Sequence, residues 1–459
     1  MASLLVLLLL GALTHACLGQ IDYDYTSLIG LSNTFYKIQR QGRLPDNDVP
    51  WRGDTFLDDG QDIGVDLSGG HFDAGDFVKF MFPYAGFTTI INWGIIDFPT
   101  GYEASVLSGA LETVRTSLNF LLKTHPQANT IHAQMGNGTL DHSWWGRPED
   151  WPYGPRPTYT ITESRPGSEL GSEYAAAFAS GYLVFKERDP AFAATMLQHA
   201  RQAYNFAYTY RGKYSDSVPE AADFYNSWSG YGDDLGYGAL WMYRATNDSQ
   251  YRTFADILWN EFGYAGSNAQ QFSWDDKYAG IFVLGLRLTG EEKYRAKAIQ
   301  FCDNTVNTAL RTPKGLVFLG EWGPLRYASN AVYICLQLAD LGVNAATYRA
   351  FARQQIGYIL GDTGRSFVVG FGINPPRFSH HRPSSCPPRP QVCDWNLYNG
   401  NQPNYYDVTG AIVGGPDAND VYEDSRQLWQ HTEVGLDYNA AYQSNLAALH
   451  SLRKAGLLH

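Results

Sequence analysis

Apolar residues recur at helical spacing along most of this 459-residue chain. In the stretch ASVLSGALETVRTSLNFLLKTH, residues 104–125, five of them follow one another at intervals of four and three: Leu107, Leu111, Val114, Leu118 and Leu121. The same pattern predicts further helices at 25–40, 85–96, 170–187, 190–210, 234–246, 249–262, 276–289, 292–309, 327–341, 345–360 and 436–455. Strand-like alternation is short and rare, as at 366–372. The sequence therefore predicts an all-α fold of about twelve helices.

Long connections rich in glycine, proline and aromatic residues alternate with short ones. The long connections are 41–83, 125–167, 212–233 and 361–433. Loops much longer than about 15 residues are uncommon in a compact domain unless they are functional. A ring of helical hairpins would collect such loops at one end, where they would form a groove. We see no linker or strong internal repeat that divides the chain, so we predict one large domain over residues 20–459.

The first residues are typical of a secretory signal peptide. An apolar run over 4–13 is followed by small residues at Ala16 and Gly19. We therefore predict a signal peptide at 1–19 and a secreted, extracellular protein. We find no second apolar stretch of the roughly 20 residues that a membrane helix requires, so no membrane partner is expected. The net charge of −12 argues against nucleic acid as a partner, because a polyanion would be repelled.

Four cysteines follow the predicted signal peptide. Cys386 and Cys393 bracket a proline-rich loop, and we expect them to form a disulfide in an oxidising compartment. Cys302 and Cys335 each lie on the apolar stripe of a predicted helix, which favours buried free thiols.

Two aspartates stand close together in HFDAGDFVKF, residues 71–80. Asp73 and Asp76 are three positions apart, so a turn at Ala74-Gly75 would point both carboxyl groups to one side, where they could hold one water. The spacing alone leaves three interpretations: a turn or helix cap, a divalent metal site, or a pair for acid and base catalysis.

Two later motifs add to this pair. His380, His381 and Arg382 are adjacent, but zinc-binding histidines usually come at i, i+4 or from separate elements, and we find no cysteine or glutamate at matching spacing nearby. Glu433 precedes a predicted helix and stands between Trp429 and Tyr438. Apolar surroundings raise a carboxyl pKa, as a general acid requires. The alternative is an ordinary glutamate at a helix start, stabilised by the helix dipole.

Taken together, these motifs resemble the family 9 glycoside hydrolases, inverting endo-β-1,4-glucanases (cellulases), and especially their secreted single-domain members. The matching stretches follow family order: DLSGGHFDAGDFVKFMFP at 66–83, DHSWWGRPED at 141–150, FYNSWSGYGDDLGYGALWMYRAT at 224–246, FSWDDKYAG at 272–280, WGPLRYASN at 322–330, FGINPPRFSHHR at 371–382 and the Glu433 segment. The resemblance implies an (α/α)6 barrel, a β-1,4-glucan polysaccharide as substrate and no cofactor for the chemistry. We also expect a monomer.

The resemblance also assigns roles to individual residues. Asp76 corresponds to the general base, Asp73 helps to hold the attacking water, and Glu433 corresponds to the general acid. Residues that resemble the family's contacts to substrate hydroxyls are His142, Arg326, His380, Arg382 and Tyr438. Aromatic residues at the family's sugar-stacking positions are Trp145, Tyr225, Trp228, Trp274 and Trp322. An inverting enzyme requires its two carboxyl groups about 6.5–9.5 Å apart across a groove.

The sequence departs from the family pattern at a few positions. His71-Phe72 replaces a common aromatic pair, and Phe77 stands where histidine is frequent. In SWSGYGDD, residues 227–234, the family often has Asp-Glu and binds a structural Ca²⁺. The corresponding residues here are Ser229, Gly230, Asp233 and Asp234, of which Asp234 is one methylene shorter than the usual glutamate. A helix N-cap with acidic residues in its first turn is the alternative interpretation.

Two other classes of function remain open at this point. A non-catalytic glycan-binding protein would keep the aromatic groove, although the retained Asp73, Asp76 and Glu433 argue against it. A metal-dependent hydrolase would use the aspartate pair with the two histidines, and its activity would be lost in EDTA.

Overall fold

The computed structural model describes residues 22–45 and 49–458, so the predicted signal peptide at 1–19 lies outside the described residues. Within the described ranges, twelve helices have 12 residues or more. We number them in chain order: α1 Tyr25–Ile38, α2 Met81–Asp97, α3 Ala104–Thr124, α4 Ser168–Phe185, α5 Pro190–Thr209, α6 Gly232–Thr246, α7 Ser249–Glu261, α8 Tyr278–Thr289, α9 Glu292–Asn307, α10 Pro324–Asp340, α11 Ala345–Leu360 and α12 Leu436–Lys454. Each corresponds to a helix predicted from apolar periodicity.

Alternate helices differ in how much of their surface is buried. In α2 every residue from Met81 to Ile95 is buried, whereas α7 buries only Tyr251, Ala255, Leu258 and Trp259, which share one face. The even-numbered helices form an inner ring in which each packs against the next, and α12 closes the ring on α2. The odd-numbered helices pack around the outside. The arrangement is an (α/α)6 barrel, as the resemblance implied.

Aromatic side chains fill the centre of the inner ring. Trp93 of α2 lies edge-on to Trp241 of α6 at 5.5 Å and to Tyr333 of α10 at 5.3 Å between ring centroids. Aromatic rings favour this edge-to-face packing because the positive edge of one meets the negative face of the other. The barrel therefore has a packed core and presents its chemistry at one end.

The connections of the barrel are unequal at its two ends. Connections from an inner helix to the next outer helix are short, such as 247–248 and 290–291, whereas those leading into inner helices are long, such as 39–80 and 361–435. The N-terminal ends of all the inner helices lie together, so the long connections collect there. Their described residues contain six short α-helices, Gly138–His142, Tyr214–Ser217, Ala222–Tyr225, Arg382–Ser385, Trp395–Tyr398 and Trp429–Thr432, and three strands.

The three strands form a small antiparallel sheet in the order β1 (Lys79–Phe80), β2 (Ile131–Met135) and β3 (Thr158–Ile161). Lys79 pairs with Met135, and Ile131 pairs with Ile161, with an irregularity between His132 and Gln134. The sheet joins the loop that carries Asp73 and Asp76 to the loop before α4. The strand-like stretch at 366–372 forms only a single bridge, between Val368 and Ile412.

One cysteine prediction is confirmed and the other is wrong. Cys386 and Cys393 form the expected disulfide, with Cα atoms 5.3 Å apart. Cys302 and Cys335, expected as free thiols, also form a disulfide, which links α9 to α10 with Cα atoms 5.5 Å apart. Periodicity correctly placed both on buried faces. It does not indicate which two faces meet, and here they face each other across an outer and an inner helix.

None of the helices within 22–45 and 49–458 is long and apolar enough to cross a membrane.

Candidate active site

A groove of about 580 Å³ opens at the end of the barrel where the long connections meet. Asp73, Asp76 and Glu433 all line it, although they come from loops before different helices, α2 and α12. The predicted sugar-contacting residues His142, Trp145, Tyr225, Trp228, Trp274, Trp322, Arg326, His380, Arg382 and Tyr438 line it as well. The topology therefore brings residues far apart in sequence into one site.

The Asp73–Asp76 segment is held by backbone contacts on both sides. The Asp73 N–H donates to the Val78 carbonyl (3.3 Å), and the Asp73 carbonyl accepts from the N–H of Leu436 at the start of α12 (2.9 Å). The Asp76 carboxylate accepts from the N–H groups of Ala74 (3.2 Å) and Val78 (3.0 Å). These contacts fix both carboxyl groups before substrate binds.

Gly75 allows this segment to approach the histidine segment closely. A Cβ at position 75 would lie 2.2 Å from the His380 carbonyl oxygen. The Gly75 carbonyl accepts from the Arg382 backbone N–H (3.1 Å) and from its Nε (3.2 Å). The glycine between the two aspartates is therefore required by packing between two loops.

The two aspartates have different surroundings. Burial, followed by the charges of Asp76 and Asp437, raises the pKa of Asp73 well above its usual value, although the Tyr225 hydroxyl donates to its Oδ2 at 2.5 Å. Burial and Asp141 also raise the pKa of Asp76, but His142, Arg382 and the Val78 N–H oppose this effect. Because donors and positive charge favour an ionised carboxyl group, the negative charge of the pair belongs on Asp76.

Glu433 follows the short helix Trp429–Thr432 directly. Its N–H donates to the Trp429 carbonyl (2.9 Å), and its carbonyl accepts from the Gly414 N–H (2.9 Å). Burial, followed by the charge of Asp76, raises the pKa of Glu433 to about 8, despite a hydrogen bond of 3.4 Å from Trp322 Nε1 to its Oε2. Glu433 is therefore protonated at neutral pH and can donate a proton.

The two adjacent histidines have separate environments. His380 Nδ1 donates to the Arg426 carbonyl (2.6 Å), and burial lowers its pKa to about 4, so its Nε2 is a neutral acceptor. His381 is buried and contacts Gln39 through Nε2 (2.9 Å) and the Ser384 N–H through Nδ1 (3.2 Å). The pair therefore does not form the shared zinc site that the metal-dependent alternative requires.

Arg382 and Arg326 mostly hold the walls of the groove. Arg382 donates to the carbonyls of Gly75, Asp141 and Trp144 and to the Asp141 carboxylate, and its guanidinium lies 4.2 Å over the Phe77 ring. The family departure at Phe77 thus provides an apolar ring beneath this arginine. Arg326 pairs with Asp437 at 3.2 Å. It also lies over the ring of Tyr438 at 4.9 Å from the centroid.

Exposure separates the predicted stacking residues into two groups. Trp228 is 72% and Trp322 is 49% exposed, so each offers a ring face to the groove, and Tyr225 and Trp274 are partly exposed and pack at 4.9 Å against each other. Trp145 is only 2% exposed, and its Nε1 donates to Ser385 Oγ (3.1 Å). Trp145 therefore lines the groove mainly from below.

The structure also brings in lining residues to which the sequence analysis gave no role in the site. These are Trp144, Asp223, Phe224, Tyr327, Trp395, Tyr398, Trp429 and Asp437. Asp141 lies behind the groove surface, where its Oδ1 accepts from Arg382 and its buried Oδ2 has no hydrogen-bond partner among the described residues. The clustering of Trp395, Tyr398 and Trp429 in one long loop near Glu433 was a sequence signal that could have identified them.

The predicted calcium-binding residues divide between two environments. Ser229 Oγ lies 3.3 Å from Asp233 Oδ1 and donates to the Asp275 carbonyl (2.7 Å), and the Gly230 carbonyl accepts from Ser227 Oγ (2.8 Å). Burial and Asp276 raise the pKa of Asp233 to about 7, so a bound cation would favour its ionised form. These oxygen donors suit Ca²⁺. Asp234 instead lies 3.8 Å from Lys277 Nζ, and burial and the charge of Asp233 raise its pKa well above its usual value.

Comparison with known proteins places most of the chain, residues 25–446, in one family. The family model described as "Glycosyl hydrolase family 9" matches residues 25–446. Endoglucanase B of Cellulomonas fimi is 41% identical over 450 residues, covering 93% of this chain and 42% of the relative. The next curated relatives are covered over 63–66% of their length. This chain thus spans less than two thirds of those relatives.

Two solved structures match over nearly the full length of both chains. An endoglucanase from the termite Nasutitermes takasagoensis has a TM-score of 0.92 and 48% identity, covering 94% of this chain and 100% of its own. A cellulase of C. cellulolyticum, solved in complex with cellobiose, has a TM-score of 0.86 and 32% identity, covering 94% of this chain and 99% of its own.

Proposed function

This chain belongs to glycosyl hydrolase family 9, and from this premise we propose that it is an endo-β-1,4-glucanase, which hydrolyses internal bonds of cellulose and related glucans. Relatives and solved structures named endoglucanase or cellulase support the substrate class. The observation that carries the proposal is the meeting of Asp73, Asp76 and Glu433 in a groove lined by exposed tryptophans. Flat apolar rings suit the faces of sugars, and paired carboxyl groups suit glycoside hydrolysis.

In the proposed mechanism Asp76 is the general base. Its ionised carboxylate removes a proton from a water that attacks the anomeric carbon. Asp73 holds that water in place: its Oδ2 accepts a hydrogen bond from the Tyr225 hydroxyl at 2.5 Å, and its Oδ1 has no partner among the described residues. Protein groups supply the base and the positioning, so the chemistry requires no cofactor.

Glu433 is the general acid in this mechanism. It gives its proton to the glycosidic oxygen as the bond breaks, and a pKa of about 8 keeps it protonated near neutral pH. The water enters opposite the departing sugar, so the reaction inverts the anomeric configuration. His380 Nε2 accepts a hydrogen bond from a substrate hydroxyl. The same part of the groove is lined by His142, Arg326, Arg382 and Tyr438.

Replacing either carboxyl group tests this function. Asp76→Asn and Glu433→Gln should each lower kcat on carboxymethyl cellulose by about 10²–10⁴, the usual contribution of acid or base assistance. Glu261→Gln, on the outer helix α7 and paired with Arg211, is the matched control and should behave like wild type. Near-normal turnover in either active-site variant, with the control also normal, would refute the assignment. Loss of wild-type activity in EDTA would favour the metal-dependent alternative.

We propose in addition that Ser229, Gly230 and Asp233 contribute to a structural Ca²⁺ site, without Asp234. The donor oxygens around Asp233 support this, as does the nearby Asp276 carboxyl group. We also propose that the protein is a secreted monomer. The apolar run at 4–13 and two disulfides support secretion. Culture-medium fractionation and light scattering test these two statements.

A further inference from the structure

A third buried carboxyl group, that of Asp141, lies close to the two aspartates of the groove. Asp141 belongs to the short helix Gly138–His142 and is 1% exposed, behind the groove surface. We propose that Asp141 is a positioning residue for the reaction: it holds the turn that carries Asp76 in place from behind and offsets the positive charge of Arg382 beside that turn. This inference rests on the proposed function, in which Asp76 is the general base.

The first argument is that Asp141 holds the chain on both sides of Asp76. Asp141 Oδ1 accepts from the N–H of Phe77, the residue after Asp76, at 3.4 Å. The same oxygen accepts from Arg382 Nη2, and the Asp141 carbonyl accepts from Arg382 Nη1 at 2.7 Å. Arg382 Nε in turn donates to the carbonyl of Gly75, the residue before Asp76, at 3.2 Å. Asp141 therefore fixes the turn from either side, once directly and once through Arg382.

The second argument is that Asp141 is itself held in place. Its N–H donates to the Asn137 carbonyl at 2.9 Å, and the Asn137 side chain caps the short helix by accepting from the Leu140 N–H at 2.8 Å. The helix follows β2 closely, and β2 pairs with β1, which follows the turn that carries Asp76. The small sheet thus brings the two carboxyl groups together before any substrate binds.

The third argument is the charge around Asp76. One carboxylate oxygen of Asp76, one of Asp141 and a ring nitrogen of His142 lie within 4.8 Å of one another. Asp141 Oδ2 is buried and has no hydrogen-bond partner within the described part of the chain, so no donor offsets its charge. Burial and the charge of Asp141 raise the pKa of Asp76, whereas His142 and Arg382 lower it. Asp141 therefore acts on the base against the effect of Arg382.

Two further carboxyl groups face Asp76, and both take part in the proposed reaction. Asp73 lies on the same loop and Glu433 lies before α12, and each interacts with Asp76 through its charge. Arg382, which anchors the turn, would by itself make Asp76 a weaker base, because a positive charge favours the ionised carboxyl group. A base is most effective when its pKa lies near the working pH. Pairing with Asp141 thus lets Arg382 anchor the turn without weakening the base.

The pH dependence of kcat/KM for cellohexaose tests the proposal. Activity rises with pH as Asp76 ionises, so the acid limb of the profile reports the pKa of the base. Asp141→Asn removes a neighbouring negative charge and so lowers that pKa, and the acid limb should move to lower pH by about one pH unit. At neutral pH, kcat should fall about tenfold because the base is weaker and less firmly held. KM should change less than about twofold, because Asp141 lies behind the groove surface.

The matched control is Asp97→Asn. Asp97 is also a buried aspartate paired with an arginine, Arg244, and its side chain is 4% exposed. It ends α2, about 24 Å along that helix from the end that faces the groove. The control should have a lower melting temperature, because it leaves a buried arginine unpaired, but its acid limb should stay at the wild-type pH.

An acid limb that stays at the wild-type pH in Asp141→Asn would overturn the proposal even if kcat falls, because a merely structural residue can lower kcat without changing the base. If Asp141→Asn does not fold, the comparison is made in Arg382→Gln, in which Arg382 is not left without its partner. Adding Asp141→Asn to that variant should again lower the acid limb, and an unmoved limb overturns the proposal. The proposed function fails separately, through near-normal turnover of Asp76→Asn.

Discussion

Replacing Gly75 with alanine should disable the site without unfolding the barrel. The added Cβ would lie 2.2 Å from the His380 carbonyl oxygen and 3.0 Å from the His381 Cα. Both atoms are backbone, so no side chain can rotate away. Because ordinary contacts of a Cβ begin at 3.4 Å, the segment with Asp73 and Asp76 must move away from the segment with His380 and Arg382 by about 1 Å.

The expected loss follows from that displacement. A misplacement of about 1 Å can lower the rate about 10²-fold, equivalent to ~2.7 kcal/mol in the activation barrier. The same movement lengthens the 3.1 Å hydrogen bond from the Arg382 N–H to the Gly75 carbonyl. We therefore expect kcat on cellohexaose to fall about 10²-fold, with an unchanged far-ultraviolet circular dichroism spectrum, because the helices are not involved.

The control is Gly266→Ala, where an added Cβ meets no atom within 4 Å. It should retain wild-type kcat and melting temperature. A Gly75→Ala variant with kcat within about threefold of wild type, and with the same melting temperature, would show that the two segments can separate without harm. The argument from close packing would then be wrong.

Three further predictions concern proton transfer, stereochemistry and the metal. Glu433 acts while protonated, so activity should fall as pH rises through about 8. Trp322→Phe removes the Nε1 donor that lowers this pKa, so the alkaline limb of kcat/KM should move to higher pH, and a limb that stays or moves down contradicts the role of Trp322. Proton NMR in the first minutes of cellohexaose hydrolysis should show the α-anomer before mutarotation, whereas initial β-product would exclude the roles given to Asp76 and Glu433. EDTA should lower the melting temperature by several degrees and leave kcat unchanged at 25 °C, and Asp233→Asn should abolish that shift. An equal response to EDTA in Asp233→Asn would place the ion elsewhere.

The architecture was largely predictable because a helix with a buried face repeats apolar residues at a regular spacing in the sequence. The stripe from Leu107 to Leu121 marks an outer helix with one buried face, and the bounds of the other helices follow with small differences. The apolar spacing did not show which helices are inner and which are outer. That distinction depends on whether a helix is apolar on every side, as α2 is, which becomes meaningful only when the ring is known.

The pairing of elements was less predictable than the elements themselves. Cys302 and Cys335 were placed correctly on buried faces but were predicted to be free, since periodicity within one helix carries no information about its neighbour. The small sheet was also missed, because its strands are two to five residues long and are defined by cross-strand bonds between loops. Short strands of this kind leave no clear alternation.

Side-chain exposure was the main feature of the site that sequence could not supply. Trp145 and Arg382 match motif positions, yet the first is nearly buried and the second has most of its donors bonded to backbone carbonyls. Trp395 and Trp429, to which the sequence analysis gave no contact with sugar, present open faces. Residue type suggests a possible contact, whereas access depends on how several distant loops pack together.

Closure of the ring by α12 has a consequence for how the protein is made. This last helix packs against α1 and α2, the first two, and Glu433 stands just before it. At 5–20 residues per second, the roughly 360 residues between Asp76 and Glu433 take about 20–70 s to synthesise. During that time the inner surfaces of α2 and α10 lack α12, the helix that packs between them. The proposed base, Asp76, has been synthesised, but the proposed acid, Glu433, has not. Until α12 is synthesised, the nascent chain can misassemble and is inactive. Truncation that removes α12 should therefore abolish folding and catalysis together.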